Sequence, residues 1–123
     1  MFAGMNLFDK CRIYIIIVDK GEFDMKITKT INGSIATIIP EGMIDTVNSP
    51  AFENEAETVL SQTNNIIMDF SHVEYISSSG LRVLLKIQKK IASTNGEMKI
   101  TNVNNSIREV FEVTGFSDIL TIC

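Results

Sequence analysis

The run Asp69–Leu85, Asp-Phe-Ser-His-Val-Glu-Tyr-Ile-Ser-Ser-Ser-Gly-Leu-Arg-Val-Leu-Leu, gathers the groups of this chain most suited to chemistry. Three consecutive hydroxyls, Ser77, Ser78 and Ser79, precede Gly80 where a buried apolar segment hands over to an amphipathic helix. A helix start leaves backbone N–H groups without partners and carries a partial positive charge. A phosphate is well tolerated there, so phosphorylation of one hydroxyl is the chemistry this junction suits. Capping is the plainer use of a serine at a helix start. It would account for Ser78 by itself, and leaves the rest of the run unexplained.

Other chemistry is poorly supplied. His72 stands upstream of Ser78 and suggests a hydrolytic serine, yet the chain has no G-x-S-x-G elbow and no acid placed to orient the imidazole. Two cysteines, Cys11 and Cys123, and one histidine form no CxxC pair or Cys/His cluster, so neither a metal nor a cofactor is expected. No phosphate-cradling GxxxxGK[ST] loop is present. A net charge of −4 argues against binding nucleic acid. The longest apolar run, Ile13–Val18, is far short of the roughly 20 residues a bilayer span needs. These features suit a cytoplasmic monomer that meets other proteins, is no enzyme, and has no membrane or nucleic-acid partner.

The elements that must position the serines follow from pattern. The 123 residues suffice for one domain. Met25 opens a polar/apolar alternation, and upstream Lys20-Gly21-Glu22 would, in common codons, spell a purine-rich ribosome-binding sequence. Residues 1–24 are therefore expected to be a translated leader, with a genuine extra strand as the alternative, and the domain is expected over 25–123. Lys26–Ile31 and Ser34–Ile39 flank Asn32-Gly33 and predict a hairpin; Pro40 and Gly42 should stop its second strand. Ser49 should cap a helix with Pro50 at its first position, ending near Gln62, its early glutamates suiting the positive end. Asn65–Phe70 predicts a strand and Ser71–Ile76 a connection.

The helix that follows carries Leu81, Leu84, Leu85, Ile87, Gln88 and Ile91 on one face. Arg82, Lys86, Lys89, Lys90 and Ser93 lie on the other. Beyond Asn95-Gly96 come a strand over Met98–Val103, a helix capped by Asn105 or Ser106 and stopped by Gly115, and a strand over Ile119–Ile122. The order ββαβαβαβ predicts an α/β fold: one mixed sheet with interspersed helices and parallel crossovers. The basic stripe of Arg82, Lys86, Lys89 and Lys90 reads as a solvated face or as a docking surface for an acidic partner.

The Asp69–Leu85 run resembles the signature of STAS domains, and most of all the stand-alone anti-sigma factor antagonists: Asp-apolar-Ser, an apolar pair, then Ser-Ser-Gly-Leu at the helix start. Gly42-Met43-Ile44-Asp45 is similar to the family's Gly-x-apolar-Asp element. Val110–Phe116 is similar to its penultimate helix and glycine stop. The resemblance implies that Ser78 is the phosphorylated serine and that Asp45 lies beside it. Ser77, Ser79, Gly80, Arg82 and Lys86 would then complete a partner-binding surface. An acidic residue often precedes the family's serine; here Ser77 holds that position. The final helix of many relatives has no counterpart after Cys123. The implied activity is partner switching. The unmodified protein binds an anti-sigma factor that is also a serine kinase, which frees the sigma factor; ATP-dependent phosphorylation releases the antagonist, and a phosphatase restores it. The alternative is a STAS adaptor in a transporter or sensory assembly with Ser78 unmodified.

Overall fold

The computed structural model describes the backbone of residues 11–18 and the whole of residues 25–123. Along the chain run β1 (Cys11–Val18), β2 (Met25–Asn32), β3 (Ile35–Ile44), α1 (Ser49–Leu60), β4 (Asn65–Asp69) and β5 (His72–Ile76). Then follow α2 (Ser78–Ser93), β6 (Glu97–Thr101), α3 (Asn105–Thr114), a short 3-10 turn (Phe116–Asp118) and β7 (Thr121–Ile122). Of the stretch expected as leader, Cys11–Val18 forms a strand antiparallel to β2, and the remainder lies outside the described residues. Among the described residues no helix is long and apolar enough to cross a membrane.

The strands form one mixed sheet in the order β1-β2-β3-β4-β6-β7, with β5 paired to β3. The expected hairpin forms, but its two-residue turn is Gly33-Ser34 rather than Asn32-Gly33, with Asn32 paired to Ile35 and Gly33 at φ +67°. The crossovers through α1, α2 and α3 produce parallel pairs between β3 and β4, β4 and β6, and β6 and β7. Alternate residues such as Ile38, Met68 and Ile100 point into a single core, where Phe52 of α1, Leu84 and Ile87 of α2 and Phe111 of α3 are also buried.

Two expectations fail around β3, and both failures bear on the serines. Pro40 and Gly42 do not stop this strand, which continues to Ile44. On the side away from β2, β3 pairs with β4 through Ile38 and with β5 from Glu41, leaving Ile39 and Pro40 between partners. A residue without an N–H is tolerated in such an interval. Gly42, at φ +100°, takes up the register shift between Gly42 and Met43, the backbone freedom a bulge needs. The segment Ser71–Ile76 is accordingly no mere connection. His72–Ile76 is the strand that pairs with this extension, so from Met25 the order is ββαββαβαβ.

The residues that precede α1 and α3 lie one position before the expected Ser49 and Asn105, while α2 starts within the expected serine run. Asn48, not Ser49, precedes α1, whose first turn holds no acid, and Asn104 caps α3 by accepting the Ile107 N–H at 2.9 Å. Gly115 ends α3 in the left-handed conformation, as its spacing predicted.

Candidate functional site

The β3 extension and β5 end side by side, Ile44 opposite Ile76, and α1 and α2 start from these two ends. Ser77 follows Ile76 directly. Its N–H donates to the Ile44 carbonyl at 2.8 Å, and its hydroxyl accepts the Gly80 N–H at 3.2 Å. The capping role therefore belongs to Ser77, which is 9% exposed. Ser78 is the first residue of α2 and is exposed. Its hydroxyl is not consumed by the cap, and it stands where a helix start favours added negative charge.

Gly80 fixes how closely this turn lies on the sheet. A Cβ there would come within 2.7 Å of both Ile44 Cγ2 and Ile76 Cγ1, and 3.3 Å from the Ile44 carbonyl oxygen. The absence of a side chain is what lets α2 rest on the strand ends. Of the residues expected at a partner surface, Ser77 and Gly80 are thus buried supports, whereas Ser78, Arg82 and Lys86 are exposed and Ser79 is half-buried.

Asp45 lies in the turn between β3 and α1. Its Oδ1 accepts the N–H groups of Val47 and Asn48, each at 2.9 Å, and its carbonyl accepts the Ser49 N–H at 2.9 Å. The Asp45 N–H donates in return to Oδ1 of the buried Asn48 at 2.9 Å, and Asn48 Nδ2 donates to the Met43 carbonyl at 2.8 Å. Asp45 thereby shapes the turn. Thr46 of that turn reaches the start of α2, its hydroxyl 3.4 Å from that of Ser79. Val47 of that turn and Tyr75 of β5 are large apolar side chains, 57% and 49% exposed. Thr46 carries no local sequence signal, and only the approach of its turn to α2 marks it.

The basic stripe is divided. Lys86 pairs with Glu53 at 3.3 Å and Lys90 pairs with Glu57, both across to α1. The matching four-residue spacing of these lysines and glutamates was the available signal. The glutamates answer the lysines of α2 rather than the start of their own helix.

Asp69, the first residue of the run, sits at the far end of β5 from Ser78. Partial burial pushes its carboxyl up, but the Ser71 N–H at 3.0 Å, the Asn102 side chain at 3.1 Å, the Ser71 hydroxyl and nearby His72 hold it below the usual value. His72 begins β5, and Ser78 lies beyond the strand's other end. At about 3.3 Å per residue that separates them by more than 10 Å along the strand, so the two form no hydrolytic pair. Among the described residues no group of His, Cys, Asp and Glu is placed to hold a metal ion.

With this geometry in place, the chain can be set beside known proteins. The family model of the STAS domain matches residues 26–123. BtrV of Bordetella bronchiseptica, provisionally named an anti-sigma factor antagonist, is 32% identical over 100 residues, covering 80% of this chain and 85% of that protein. The anti-sigma-B factor antagonist of Listeria monocytogenes is 30% identical over 87 residues, covering 69% and 75%. Among solved structures, the unphosphorylated form of the anti-sigma factor antagonist SpoIIAA matches with a TM-score of 0.61 at 15% identity, covering 91% of this chain and 87% of that one. The phosphorylated form of SpoIIAA, from Bacillus, gives 0.59 at 16%, covering 91% of each. The murine anion transporter Slc26a9 gives 0.63 at 14%, covering 89% of this chain and 19% of the transporter. At such identities these structural likenesses speak for the fold alone.

Proposed function

The chain belongs to the STAS family, in company with the anti-sigma factor antagonists, and from that premise we propose that it is a phosphorylation-controlled antagonist of an anti-sigma factor. It acts in the cytoplasm by binding and carries out no catalysis itself. In its unmodified form it binds an anti-sigma factor that doubles as a serine kinase, and a sigma factor is freed. The kinase then attaches phosphate to Ser78, the complex parts, and a serine phosphatase resets the cycle. In the transfer the Ser78 hydroxyl oxygen bonds to the γ-phosphorus of ATP, the bond to the bridging oxygen breaks, and ADP and the serine proton leave. ATP and its metal belong to the kinase.

One observation carries this reading: Ser78 is exposed at the first position of α2 while its neighbour Ser77 supplies the cap. A phosphate there adds about −1.5 to −2 charge at neutral pH. The helix start accommodates that charge, so the fold need not change. The cost falls on the complex. A dianion closed into the interface with a partner must be stripped of water without compensation. A loss of about 3–4 kcal/mol lowers affinity by a few hundredfold. The likeness to Slc26a9 extends to fold only and gives the adaptor alternative no comparable support.

The test is to isolate the kinase retained by the wild-type chain, identify it, and titrate it against Ser78→Ala and Ser78→Asp. Ser78→Ala should bind like wild type and Ser78→Asp poorly. After incubation with kinase and ATP, mass spectrometry should find phosphate on Ser78 in the wild type. Equal binding of the two variants, or phosphate elsewhere, would refute the switch.

A further inference from the structure

Arg82, Lys86 and Lys90 recur every four residues along one flank of α2, and Glu53 and Glu57 have the same spacing on α1. Lys86 pairs with Glu53, and Lys90 with Glu57. Because both members of the pair advance by four in the same direction, the next rung toward the helix starts would set Arg82 against residue 49. That residue is the buried, uncharged Ser49. The ladder therefore lacks its third acid. Arg82 is exposed, and among the described residues it makes no ion pair.

Four residues before Arg82 on the same helix stands Ser78, also exposed. Side chains at this spacing are neighbours on a helix surface, with about 5–6 Å between Cβ atoms, and an anion placed N-terminal to its cation is the favoured order. Arginine also presents a planar fork that takes two phosphate oxygens at once, which lysine does not. We infer that Arg82 is the counter-charge of the switch: it is offered to a carboxylate of the kinase while Ser78 is unmodified, and is captured by the phosphate once Ser78 is phosphorylated. The inference rests on the proposed role of Ser78. It adds that phosphorylation acts twice, introducing a dianion and withdrawing the cation that held the partner's acid. Lys86 and Lys90 are already engaged with α1 and cannot replace it.

The first test requires no kinase. Phosphoserine is installed at position 78 during translation, and its second ionisation is followed by phosphorus-31 NMR. In the wild-type chain it should lie roughly 0.3 pH unit below that of Arg82→Gln, with Arg82→Lys between them, as an exposed pair of this spacing implies. Identical titrations in wild type and Arg82→Gln would overturn the capture. The second test uses the unmodified chain and the purified kinase. Arg82→Gln should weaken binding about 2- to 5-fold, the scale of one exposed charge pair, and Arg82→Glu should weaken it further. Wild-type affinity in both variants would overturn the contact with the partner's carboxylate. Failure of the wild-type chain to bind any kinase would instead overturn the proposed function, a result that leaves the NMR outcome to be judged on its own.

Discussion

Ser49 and Ser78 hold equivalent positions. Each is the first residue of a helix, and the strands before those helices, β3 and β5, end beside one another in the sheet. Yet Ser49 is buried and Ser78 exposed. Before α1 the chain spends four residues, Asp45 to Asn48, on a turn knitted by Asp45 and Asn48, which takes Ser49 inward. Before α2 it spends one, Ser77, which bonds to Ile44 behind it and Gly80 ahead of it. The shorter link leaves no backbone to fold over Ser78. A helix start does not by itself display a hydroxyl, and the length of the link that leads into it decides.

The comparison breaks most readily at Gly80. Gly80→Ala puts a methyl group 2.7 Å from two buried isoleucine side chains, Ile44 and Ile76, which belong to the two strand ends that launch the helices. Overpacking of this kind typically costs about 1–3 kcal/mol, even though alanine is the better helix former. Urea denaturation should show that loss, and the start of α2 should move away from β3. Unchanged stability would mean that the approach of α2 to the strand ends is looser than these distances imply.

How much of this was legible beforehand depends on what each feature is made of. Helix α2, the hairpin and the parallel crossovers are written in local periodicity and turn residues, and they stand as read but for the shift of the hairpin turn by one residue to Gly33-Ser34. Strand β5 was not legible, because His-Val-Glu-Tyr-Ile has neither a clean alternation nor a turn signal separating it from β4. Its strand character comes from pairing with a β3 that runs through Pro40 and Gly42, two residues that locally argue for a stop. The serine run announced a helix start but not which hydroxyl would cap it, since neighbouring serines have the same intrinsic preference and tertiary position assigns the role. The exposure of Ser78 follows from that assignment. Lys86 and Lys90 could have been matched to Glu53 and Glu57 by spacing alone, but only once α1 and α2 were known to lie side by side.

A smaller change sharpens the comparison at Ser77. Ser77→Ala removes the acceptor of the Gly80 N–H and should destabilise the protein by about 1 kcal/mol, the usual worth of a lost cap. Because Ser78 keeps its place, the variant should still accept phosphate wherever the wild type does. Thermal unfolding reads the first effect and phosphate incorporation by the kinase the second. If Ser77→Ala were as stable as wild type, capping would have passed to another hydroxyl, with Ser78 the nearest candidate.

Ser78→Ala should have the least effect on folding and the opposite functional outcome. The exposed hydroxyl packs against nothing in the core, and a surface substitution away from caps and buried contacts usually changes stability by no more than about 0.5 kcal/mol. Alanine is moreover well suited to a helical position. Unfolding in urea should therefore be indistinguishable from wild type, while phosphate incorporation falls to background. A loss near 1 kcal/mol in Ser78→Ala would give Ser78 a structural duty. The neighbouring serines would then no longer divide into one that builds the helix start and one that the helix start displays.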